Sequence, residues 1–343
     1  MTSPEAFTAL LKQLVAGETL DAEASSRAFA ALMSGEVSQI RIASFLTALA
    51  AREATVDEIV GAARAMRGAM HTVTAPAGAI DLCGTGGDGH GTLNVSTAAA
   101  FVVAACGVPV AKHGNRNMSS RTGTADVLEA LGVKIDLDAR AAERCLREAG
   151  LSFLFAQAFH PAVKHVAPVR KELGFRTIFN LLGPICNPAG VPRQLLGIYA
   201  RSWIEPIAHV LAKLGTEKAW VVHGSDGLDE MTTTGITHVA VLEHGKVTMR
   251  EIAPEDAGLK RTTLAALKGG APAENAAALR ALLDGARGAY RDIVLLNAAA
   301  ALIVADKASD LKEGTALAAD AIDTGRAKAA LAKLVAVSQS ARP

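Results

Sequence analysis

A chain of 343 residues is long for one small domain, so we expect one large domain accompanied by a smaller one. Half of the residues are apolar and 20% are charged, which is the balance of a water-soluble protein with a large core. Acids and bases nearly cancel, at a formal net charge of +1, and they are spread along the chain. This charge distribution provides neither a basic surface for sequence-independent nucleic-acid binding nor a polybasic membrane tail.

Four cysteines lie far apart without a Cys-x-x-Cys pair, so the sequence predicts reduced, mostly buried thiols instead of disulfides or a zinc site. The N-terminal segment lacks the basic and apolar regions of a signal peptide. The most apolar stretch, residues 293–305, is interrupted by Asn297 and is too short to span a bilayer. We therefore expect a cytoplasmic protein that has no membrane partner.

Residues 1–72 show only helical patterns and are predicted to form a small all-helical domain. Thr55 and Glu58 have the spacing of a capping box, which predicts a helix running to about Met70. The helix predicted from Ser38 suits either an internal core or a subunit interface. The remaining helices of this domain are predicted to begin at Ser3-Pro4 and near Asp21.

From residue 73 to residue 343 the pattern predicts a large α/β domain. Short β-prone runs alternate with helical segments, and this alternation is typical of βαβ units and a largely parallel sheet. Helices are predicted at 94–106 and 138–149. Strands are predicted at 79–83, 108–111, 133–136, 152–155, 195–199 and 219–222, with a late hairpin formed by 239–243 and 247–252.

A glycine-rich loop follows the first predicted strand and leads into a helix. Five glycines lie within the eight positions 84–91, which leaves backbone N–H groups exposed for close approach to an anion. Asn94, Ser96 and Thr97 lie at the start of the next helix, where unpaired N–H groups favour phosphate. The spacing matches neither the Walker nor the Rossmann pattern, and taken alone the loop could be an ordinary strand-to-helix turn.

A second polar loop follows the next strand and extends from Lys112 to Thr124. It supplies cationic side chains and neutral hydrogen-bond donors, and an ordinary solvated loop is the alternative interpretation. Because sites gather at the carboxyl ends of parallel strands, we expect the two loops to lie side by side.

Taken together, these segments resemble the signature set of the anthranilate phosphoribosyltransferase family. The motifs keep their order over most of the chain, and the set is far more selective than any single motif. Thr124 stands where a serine is usual, and Leu93 replaces the commoner phenylalanine. The matching segments are Gly84-Thr85-Gly86-Gly87-Asp88, Asn94-Val95-Ser96-Thr97, Lys112-His113-Gly114-Asn115-Arg116, Ser119-Ser120 with Gly123 and Ala125-Asp126, Val169 to Gly174, Arg176 to Pro184, and His223 to Glu230.

The resemblance implies a mainly parallel mixed sheet flanked by helices, plus a small all-helical domain, in the nucleoside phosphorylase and class IV phosphoribosyltransferase arrangement. It implies that residues near 163–184 join the helical domain and that two subunits associate through this domain. The implied reaction, in tryptophan biosynthesis, transfers phosphoribosyl from phosphoribosyl pyrophosphate (PRPP) to the amino group of anthranilate and releases pyrophosphate. The implied cofactor is Mg²⁺, with two ions per subunit.

The resemblance also assigns residues to ligands. Ser96, Asp229 and Glu230 would bind Mg²⁺, which prefers hard oxygen ligands and bridges pyrophosphate oxygens. Gly84, Asn115 and Arg170 would bind anthranilate. Arg170 would bind its carboxylate, because a guanidinium pairs well with a carboxylate. No general base is identified, and Lys112 would stabilise the leaving pyrophosphate. The residues assigned to PRPP are Gly84, Gly87, Asp88, Thr92, Asn94, Val95, Ser96, Thr97, Lys112, His113, Gly114, Asn115, Arg116, Asn117, Met118, Ser119, Ser120 and Thr124.

Two other functions stay open at this point. A pyrimidine nucleoside phosphorylase would share the architecture and a Thr-Gly-Gly phosphate loop, but it does not need Mg²⁺, so the Asp229-Glu230 pair argues against it. A non-enzymatic nucleic-acid-binding relative would have the same fold. The near-zero net charge and the complete set of site residues argue against that relative.

Overall fold

The computed structural model describes residues 4–116 and 122–340, and its centre is a seven-stranded sheet. The strands lie in the order β3-β2-β1-β4-β5-β6-β7. Their bounds are β1 Ile80–Gly84, β2 Val110–Gly114, β3 Leu151–Phe155, β4 Arg193–Gly197, β5 Lys218–Gly224, β6 Thr237–Glu243 and β7 Lys246–Ile252.

The first five strands are parallel, and the last two form an antiparallel hairpin on β5. Going along the chain, β1 to β3 extend the sheet in one direction and β4 to β7 extend it in the other. The order therefore reverses between β1 and β4, which are neighbours with Gly84 opposite Gly197. In open parallel sheets, ligands bind outside the carboxyl ends of the strands at such a reversal.

Fifteen α-helices surround the sheet within the described residues, and the predicted helices in the N-terminal region are confirmed. The helices of that region are α1 Pro4–Val15, α2 Ala22–Ser34, α3 Gln39–Arg52 and α4 Val56–Gly68. The others are α5 Val95–Ala105, α6 Thr124–Ala130, α7 Ala139–Ala149, α8 Ala156–Phe159, α9 Ala167–Leu173, α10 Phe179–Ile185, α11 Ile204–Lys213, α12 Pro272–Leu283, α13 Ala289–Val304, α14 Leu311–Asp323 and α15 Arg326–Gln339. Among the described residues, no helix has both the length and the apolar composition needed to cross a membrane.

The capping box predicted at the start of α4 is present and extends into a buried polar cluster. Thr55 Oγ1 accepts a hydrogen bond from the N–H of Glu58 at 3.3 Å, and the Glu58 carboxylate accepts one from the N–H of Thr55 at 2.8 Å. The same carboxylate accepts from the N–H of Leu20 at 2.9 Å and pairs with Arg52. Glu58 is fully buried, so it links α4 to α3 and to the turn before α2.

Two hydrophobic cores lie on opposite faces of the sheet. One contains α5 and α13 with the C-terminal helices. The other contains α1 to α4, α9, α10 and α11. Phe179 of α10 lies 5.7 Å from Phe29 of α2, ring centre to ring centre, and Arg67 of α4 donates to the carbonyl of Ile185 at 2.7 Å. Residues 166–186 thus pack beside the N-terminal helices, and their assignment to one helical domain stays our prediction.

The prediction of a strand at 133–136 is wrong. These residues form an extended connection between α6 and α7. Val133 and Ile135 are buried in the main core, and the N–H of Lys134 donates to the side chain of Ser338 in α15 at 3.1 Å. The alternating apolar pattern arises because every second side chain packs into the core, and the backbone hydrogen bond goes to a helix instead of a neighbouring strand.

Candidate active site

Asp229 lies at the carboxyl ends of β1 and β4, where the strand order reverses. A Cβ atom at Gly84 would overlap the carboxylate of Asp229, and one at Gly197 would overlap its backbone carbonyl. Both strands therefore need glycine at their last position to let Asp229 approach. Sequence reasoning singled out Gly84 but missed Gly197, because the two glycines are far apart in sequence and meet only through Asp229.

The glycine loop is bonded directly to this carboxylate. The backbone N–H of Gly86, a residue with a φ of +69°, donates to Asp229 Oδ2 at 2.6 Å. The side chain of Asp88, at the far end of the same loop, accepts from the N–H of His90 at 3.0 Å. The positive φ at Gly86 turns a backbone donor toward the site, which a residue with a side chain would rarely do.

The N-terminus of α5 joins the second carboxylate and the buried lysine. The N–H of Ser96 donates to Glu230 Oε1 at 3.1 Å, and Lys112 Nζ donates to Ser96 Oγ at 3.2 Å. Lys112 Nζ also donates to the carbonyl of Leu82 in β1. Lys112 is only 3% exposed, and it lies within β2 with His113 and Gly114, whereas the sequence placed the start of a loop there.

Two carboxyl groups, those of Asp229 and Glu230, are neighbours at this point of the site. Burial, together with the neighbouring charge of Asp88, raises the pKa of Asp229 to about 6. Burial and the charge of Asp229 raise the pKa of Glu230 to about 8. Two neighbouring carboxyl groups, one buried and one partly buried, that resist ionisation together would be stabilised by a cation.

The donor set fits Mg²⁺. It consists of hard oxygens, from the carboxylates of Asp229 and Glu230 and the hydroxyl of Ser96. Within residues 4–116 and 122–340 there is no group of three His, Cys, Asp or Glu side chains arranged to enclose a metal. A site that has few protein ligands is typical of Mg²⁺, which retains waters and binds substrate phosphates.

A buried polar network that the sequence analysis missed lies beneath Lys112 and His113. Asp81 in β1 accepts from the N–H of His113 at 3.1 Å and from the side-chain amide of Asn187 at 2.8 Å. Burial raises the pKa of Asp81 to about 6, while the charge of Lys112 acts in the opposite direction. The network holds the end of β2 through the backbone of His113, and it therefore supports the site from within the core.

Next to this network, His113 faces His160. Their Nε2 atoms lie 3.2 Å apart and both rings are buried. Burial lowers the pKa of His113 to about 3 and that of His160 to about 4. Both rings are therefore neutral near pH 7.

Arg170 of α9 is half-buried and packs over the ring of Phe179, with 5.1 Å from its guanidinium carbon to the ring centre. Burial lowers its pKa. Among the residues that the structure describes, no acidic side chain pairs with Arg170. A partly buried guanidinium without a carboxylate partner is suited to bind the carboxylate of a ligand.

Other predicted residues are placed differently. Arg116 is exposed and forms ion pairs with Asp126 and Glu129 of α6, at 3.0 and 2.5 Å. Asn115 is exposed, and its Oδ1 accepts from the N–H of Arg116 at 2.8 Å. Thr97 and Thr124 join the starts of α5 and α6 through their hydroxyls, 3.2 Å apart. The predicted PRPP residues Asn117, Met118, Ser119 and Ser120 lie outside the described residues.

Arg176 contacts the glycine loop and was not predicted as a site residue. Its guanidinium lies over the ring of Tyr199, 4.3 Å from the ring centre, and donates to the carbonyl of Gly87. Arg176 follows α9 in sequence, whereas Gly87 belongs to the glycine loop. It thus connects the segment that carries Arg170 to the loop that is predicted to bind PRPP.

Comparisons with known proteins agree with this arrangement. Residues 8–70 match the helical bundle domain of a glycosyl transferase family, and residues 77–328 match the α/β domain of the same family. The chain is 58% identical over 337 residues to the anthranilate phosphoribosyltransferase of Methylocella silvestris, covering 98% of this chain and 97% of the relative. The chain belongs to the anthranilate phosphoribosyltransferase family.

Solved structures of anthranilate phosphoribosyltransferases have the same fold. The enzyme from Thermus thermophilus aligns with a TM-score of 0.92 at 46% identity, over 96% of this chain and 99% of that one. The enzyme from Saccharomyces cerevisiae, in complex with PRPP and Mg, aligns with a TM-score of 0.90 at 27% identity, over 99% of both chains. The yeast enzyme was also solved with 4-fluoroanthranilate. The family, the fold class and the class of enzyme predicted from the sequence are confirmed.

Proposed function

We propose that this chain transfers the phosphoribosyl group of PRPP to the amino nitrogen of anthranilate and releases pyrophosphate, as a step of tryptophan biosynthesis. One observation carries the proposal. Asp229 brings together the glycine loop and the carboxyl ends of β1 and β4, while Glu230 beside it contacts the start of α5. Backbone donors, a buried lysine and two carboxylates therefore converge where a diphosphate and its metal ion would bind.

In this proposal the diphosphate binds between the glycine loop and the start of α5. Backbone N–H groups of the loop and of residues 95–97 donate to phosphate oxygens, and the positive end of the α5 dipole favours their charge. Asn94, at the helix start, contributes its side-chain amide. Lys112, held by Ser96 and Leu82, neutralises the leaving pyrophosphate.

Two Mg²⁺ ions per subunit are proposed, bound by Asp229, Glu230 and Ser96. When bound, Mg²⁺ neutralises charge on the pyrophosphate and thereby makes it a better leaving group. The complex of the yeast enzyme with PRPP and Mg supports the choice of metal. The number of ions can be measured by titrating Mg²⁺ into the protein in the presence of PRPP.

The acceptor is proposed to bind between the histidine pair and α9. Arg170 holds the carboxylate of anthranilate, and Asn115, Gly84 and His113 line the pocket. The nitrogen of anthranilate attacks C1 of the ribose, the C1–O bond breaks with its electron pair leaving on pyrophosphate, and the nitrogen then loses a proton. Because an aryl amine is a weak nucleophile, C1–O cleavage runs ahead of N–C1 formation, so orientation and charge stabilisation dominate the catalysis.

The reaction is tested by mixing the protein with anthranilate, PRPP and Mg²⁺ and following the loss of anthranilate fluorescence. We expect turnover that requires all three components. A parallel reaction with a pyrimidine nucleoside, inorganic phosphate and no Mg²⁺ tests the phosphorylase alternative. Turnover only in this second reaction would contradict the proposal.

We also propose that two copies of the chain associate through the helical domain. Val15 at the end of α1 is 71% exposed and Ile40 at the start of α3 is 81% exposed. Between these helices lies an apolar groove, lined by Leu14, Ala43, Ala48 and Ala51 among others. Val15→Lys combined with Ile40→Lys should convert a dimer to a monomer in sedimentation analysis, and an unchanged mass would contradict this interface. We also propose a cytoplasmic location for the reaction.

A further inference from the structure

A segment that carries no recognisable motif runs alongside the glycine loop. This segment, residues 267–275, is called the bracing segment below, and it leads into α12. The N–H of Leu93 donates to the carbonyl of Leu267, and the N–H of Gly269 donates to the carbonyl of Gly91, both at 2.9 Å. Thr92 and Lys268 form an antiparallel bridge between these two bonds. The end of the glycine loop is therefore paired, residue by residue, with a remote part of the chain.

The bracing segment approaches the loop so closely that only glycine fits at one position. A Cβ atom at Gly269 would lie 2.7 Å from the carbonyl oxygen of Thr92 and 3.0 Å from Nδ2 of Asn275. Contacts this short force the backbone to shift, because the oxygen of Thr92 belongs to the main chain. The register between the segment and the loop is therefore set by close packing as well as by hydrogen bonds.

Asn275, in the first turn of α12, ends the bracing segment and fixes the side chain of Asn94. It is only 2% exposed. Its Oδ1 accepts from the N–H of Gly270 at 2.7 Å, and its Nδ2 donates to Oδ1 of Asn94 at 2.9 Å. In addition, the hydroxyl of Tyr290 in α13 donates to the backbone carbonyl of Asn94 at 3.0 Å. Both the main chain and the side chain of Asn94 are therefore held by C-terminal helices.

This contact determines which way the amide of Asn94 points. Asn94 is the N-cap residue of α5, yet its side chain does not cap its own helix. Because its oxygen accepts from Asn275, its NH₂ group is the part that remains to donate. An NH₂ group suits a phosphate oxygen, whereas the amide oxygen would repel it.

The bracing segment also reaches the second loop. The hydroxyl of Thr122 donates to the carbonyl of Gly270 at 2.6 Å, and the N–H of the same glycine donates to Asn275. The same nine residues thus contact the glycine loop, the start of α5 and the end of the loop after β2.

We propose that the bracing segment positions the PRPP-binding loops, and that Asn275 is a positioning residue for PRPP that acts through Asn94. The inference rests on the PRPP-binding role proposed above for Asn94. A side chain held in its binding orientation before the ligand arrives loses less conformational entropy on binding, so preorganisation increases affinity. The side-chain amide of Asn275 contacts Asn94 and Gly270, and Asn94 is assigned to PRPP and not to anthranilate. Substitution of Asn275 should therefore weaken the binding of PRPP and spare that of anthranilate.

The test is a double-mutant cycle with Asn94→Ala and Asn275→Asp. The Asn275→Asp substitution would keep the volume and the acceptor for Gly270, but the new carboxylate would draw the NH₂ of Asn94 toward itself and turn the oxygen toward the phosphate. We expect the KM for PRPP to rise about tenfold in each single variant, while the KM for anthranilate changes less than about twofold. If Asn275 acts through Asn94, the double variant should match Asn94→Ala alone.

Two further variants keep the test decisive. Tyr290→Phe removes only the hydroxyl that holds the backbone of Asn94, and it should raise the KM for PRPP about threefold. This variant tests the positioning of Asn94 even where Asn275→Asp does not fold. Ser338→Ala removes a buried hydrogen bond to Lys134 outside both loops, and it should leave both KM values unchanged. The midpoint of thermal unfolding, measured for each variant, separates a local effect from a general loss of stability.

The outcomes distinguish the two levels of the argument. If Asn94→Ala leaves the KM for PRPP unchanged, the PRPP-binding role of Asn94 fails and the inference fails with it. If Asn94→Ala raises that KM but Asn275→Asp does not, or if the two effects simply multiply, the positioning role of Asn275 is overturned while the proposed function stands. Equal losses toward PRPP and anthranilate in Asn275→Asp would show a general structural role and would also overturn it.

Discussion

The backbone N–H of Gly86 donates to Oδ2 of Asp229 across 2.6 Å, so a loop that is proposed to bind phosphate is fixed by a carboxylate that is proposed to bind the metal ion. The two residues are 143 positions apart in sequence. This bond couples the two halves of the site, because a change at Asp229 alters the position of the loop. Loss of the carboxylates should therefore affect the binding of both Mg²⁺ and PRPP.

We predict that Asp229→Asn combined with Glu230→Gln abolishes turnover supported by Mg²⁺ and leaves the fold intact. The double change removes the anionic oxygens that bind a hard cation and retains the side-chain volumes. The loss in kcat/KM should be on the order of a thousandfold, measured across a range of Mg²⁺ concentrations. The control is Asp57→Asn with Glu243→Gln, two carboxylates on the surface. Activity like that of the wild type at low Mg²⁺ would show that the metal binds elsewhere.

We predict that the buried histidine pair makes the protein less stable in acid. The pKa values of His113 and His160 are lowered by burial to about 3 and about 4, so the unfolded chain binds more protons below pH 6.5. The stability these neutral rings contribute is present above pH 6.5 and is lost as the pH falls toward 4. Each group contributes a slope of up to about 1.4 kcal/mol per pH unit.

His160→Gln should therefore reduce the slope of unfolding free energy against pH by about 1.2 kcal/mol per unit between pH 6 and 5. Urea unfolding at several pH values measures it. The matched control is His209→Gln, because this substitution removes an imidazole that is exposed to solvent in the folded protein. An equal slope in wild type and His160→Gln would mean that His160 becomes protonated in the folded protein.

We predict that Glu58→Ala destabilises the protein without changing its chemistry. The substitution leaves Arg52 and the N–H groups of Leu20 and Thr55 without their buried partner. Breaking a buried pair by removing one member costs about 3 kcal/mol or more, so the midpoint of thermal unfolding should fall by several degrees. Glu23→Ala, which breaks an exposed pair with Arg27, should cost well under about 1 kcal/mol. A large loss of kcat at 25 °C in Glu58→Ala would contradict the separation of stability from activity.

The parts of the site that could be predicted from the sequence are those that keep a local pattern. The glycine loop, the start of α5 and the Asp229-Glu230 pair each consist of residues that are close together in sequence, and the family resemblance supplied their roles. Gly197, Asp81 and the bracing segment could not be found in this way. Their importance comes from contacts between residues that are far apart in sequence, from 32 positions for Asp81 and His113 to 181 positions for Asn94 and Asn275. Neither periodicity nor spacing indicates such contacts.

The fold was predictable to a similar extent. Seven of the eight predicted strands correspond to strands. Six of the seven are largely buried and have a run of β-branched and apolar residues, whereas β7 is mostly exposed and was predicted together with β6 as a hairpin. Residues 133–136 have the same pattern but lack a neighbouring strand, since α15 packs against them. An alternating apolar pattern indicates which side chains are buried, but it does not indicate the hydrogen-bond partners of the backbone.

Our last prediction concerns Arg170, the residue that most clearly separates an anthranilate-binding site from that of a phosphorylase. Its half-buried guanidinium has no acidic partner within the described residues and is held over the ring of Phe179. Arg170→Ala should lower kcat/KM for anthranilate by about ten- to a hundredfold, because a charged hydrogen bond left unmade costs about 1.5–3 kcal/mol. The KM for PRPP should be spared. Steady-state kinetics with each substrate varied in turn measure both effects.

The companion variants test whether the carboxylate of anthranilate is what Arg170 binds. Arg170→Lys should restore only part of the loss, because an ammonium group cannot form the two parallel hydrogen bonds of a guanidinium. The exposed neighbour Lys171 is the matched control, and Lys171→Ala should have little effect on either substrate. Aniline, which lacks the carboxylate, should be a poor acceptor for the wild type and nearly indifferent to Arg170→Ala. If Arg170→Ala instead weakens both substrates equally, Arg170 serves the fold or the pyrophosphate, and a different residue must hold the carboxylate of the acceptor.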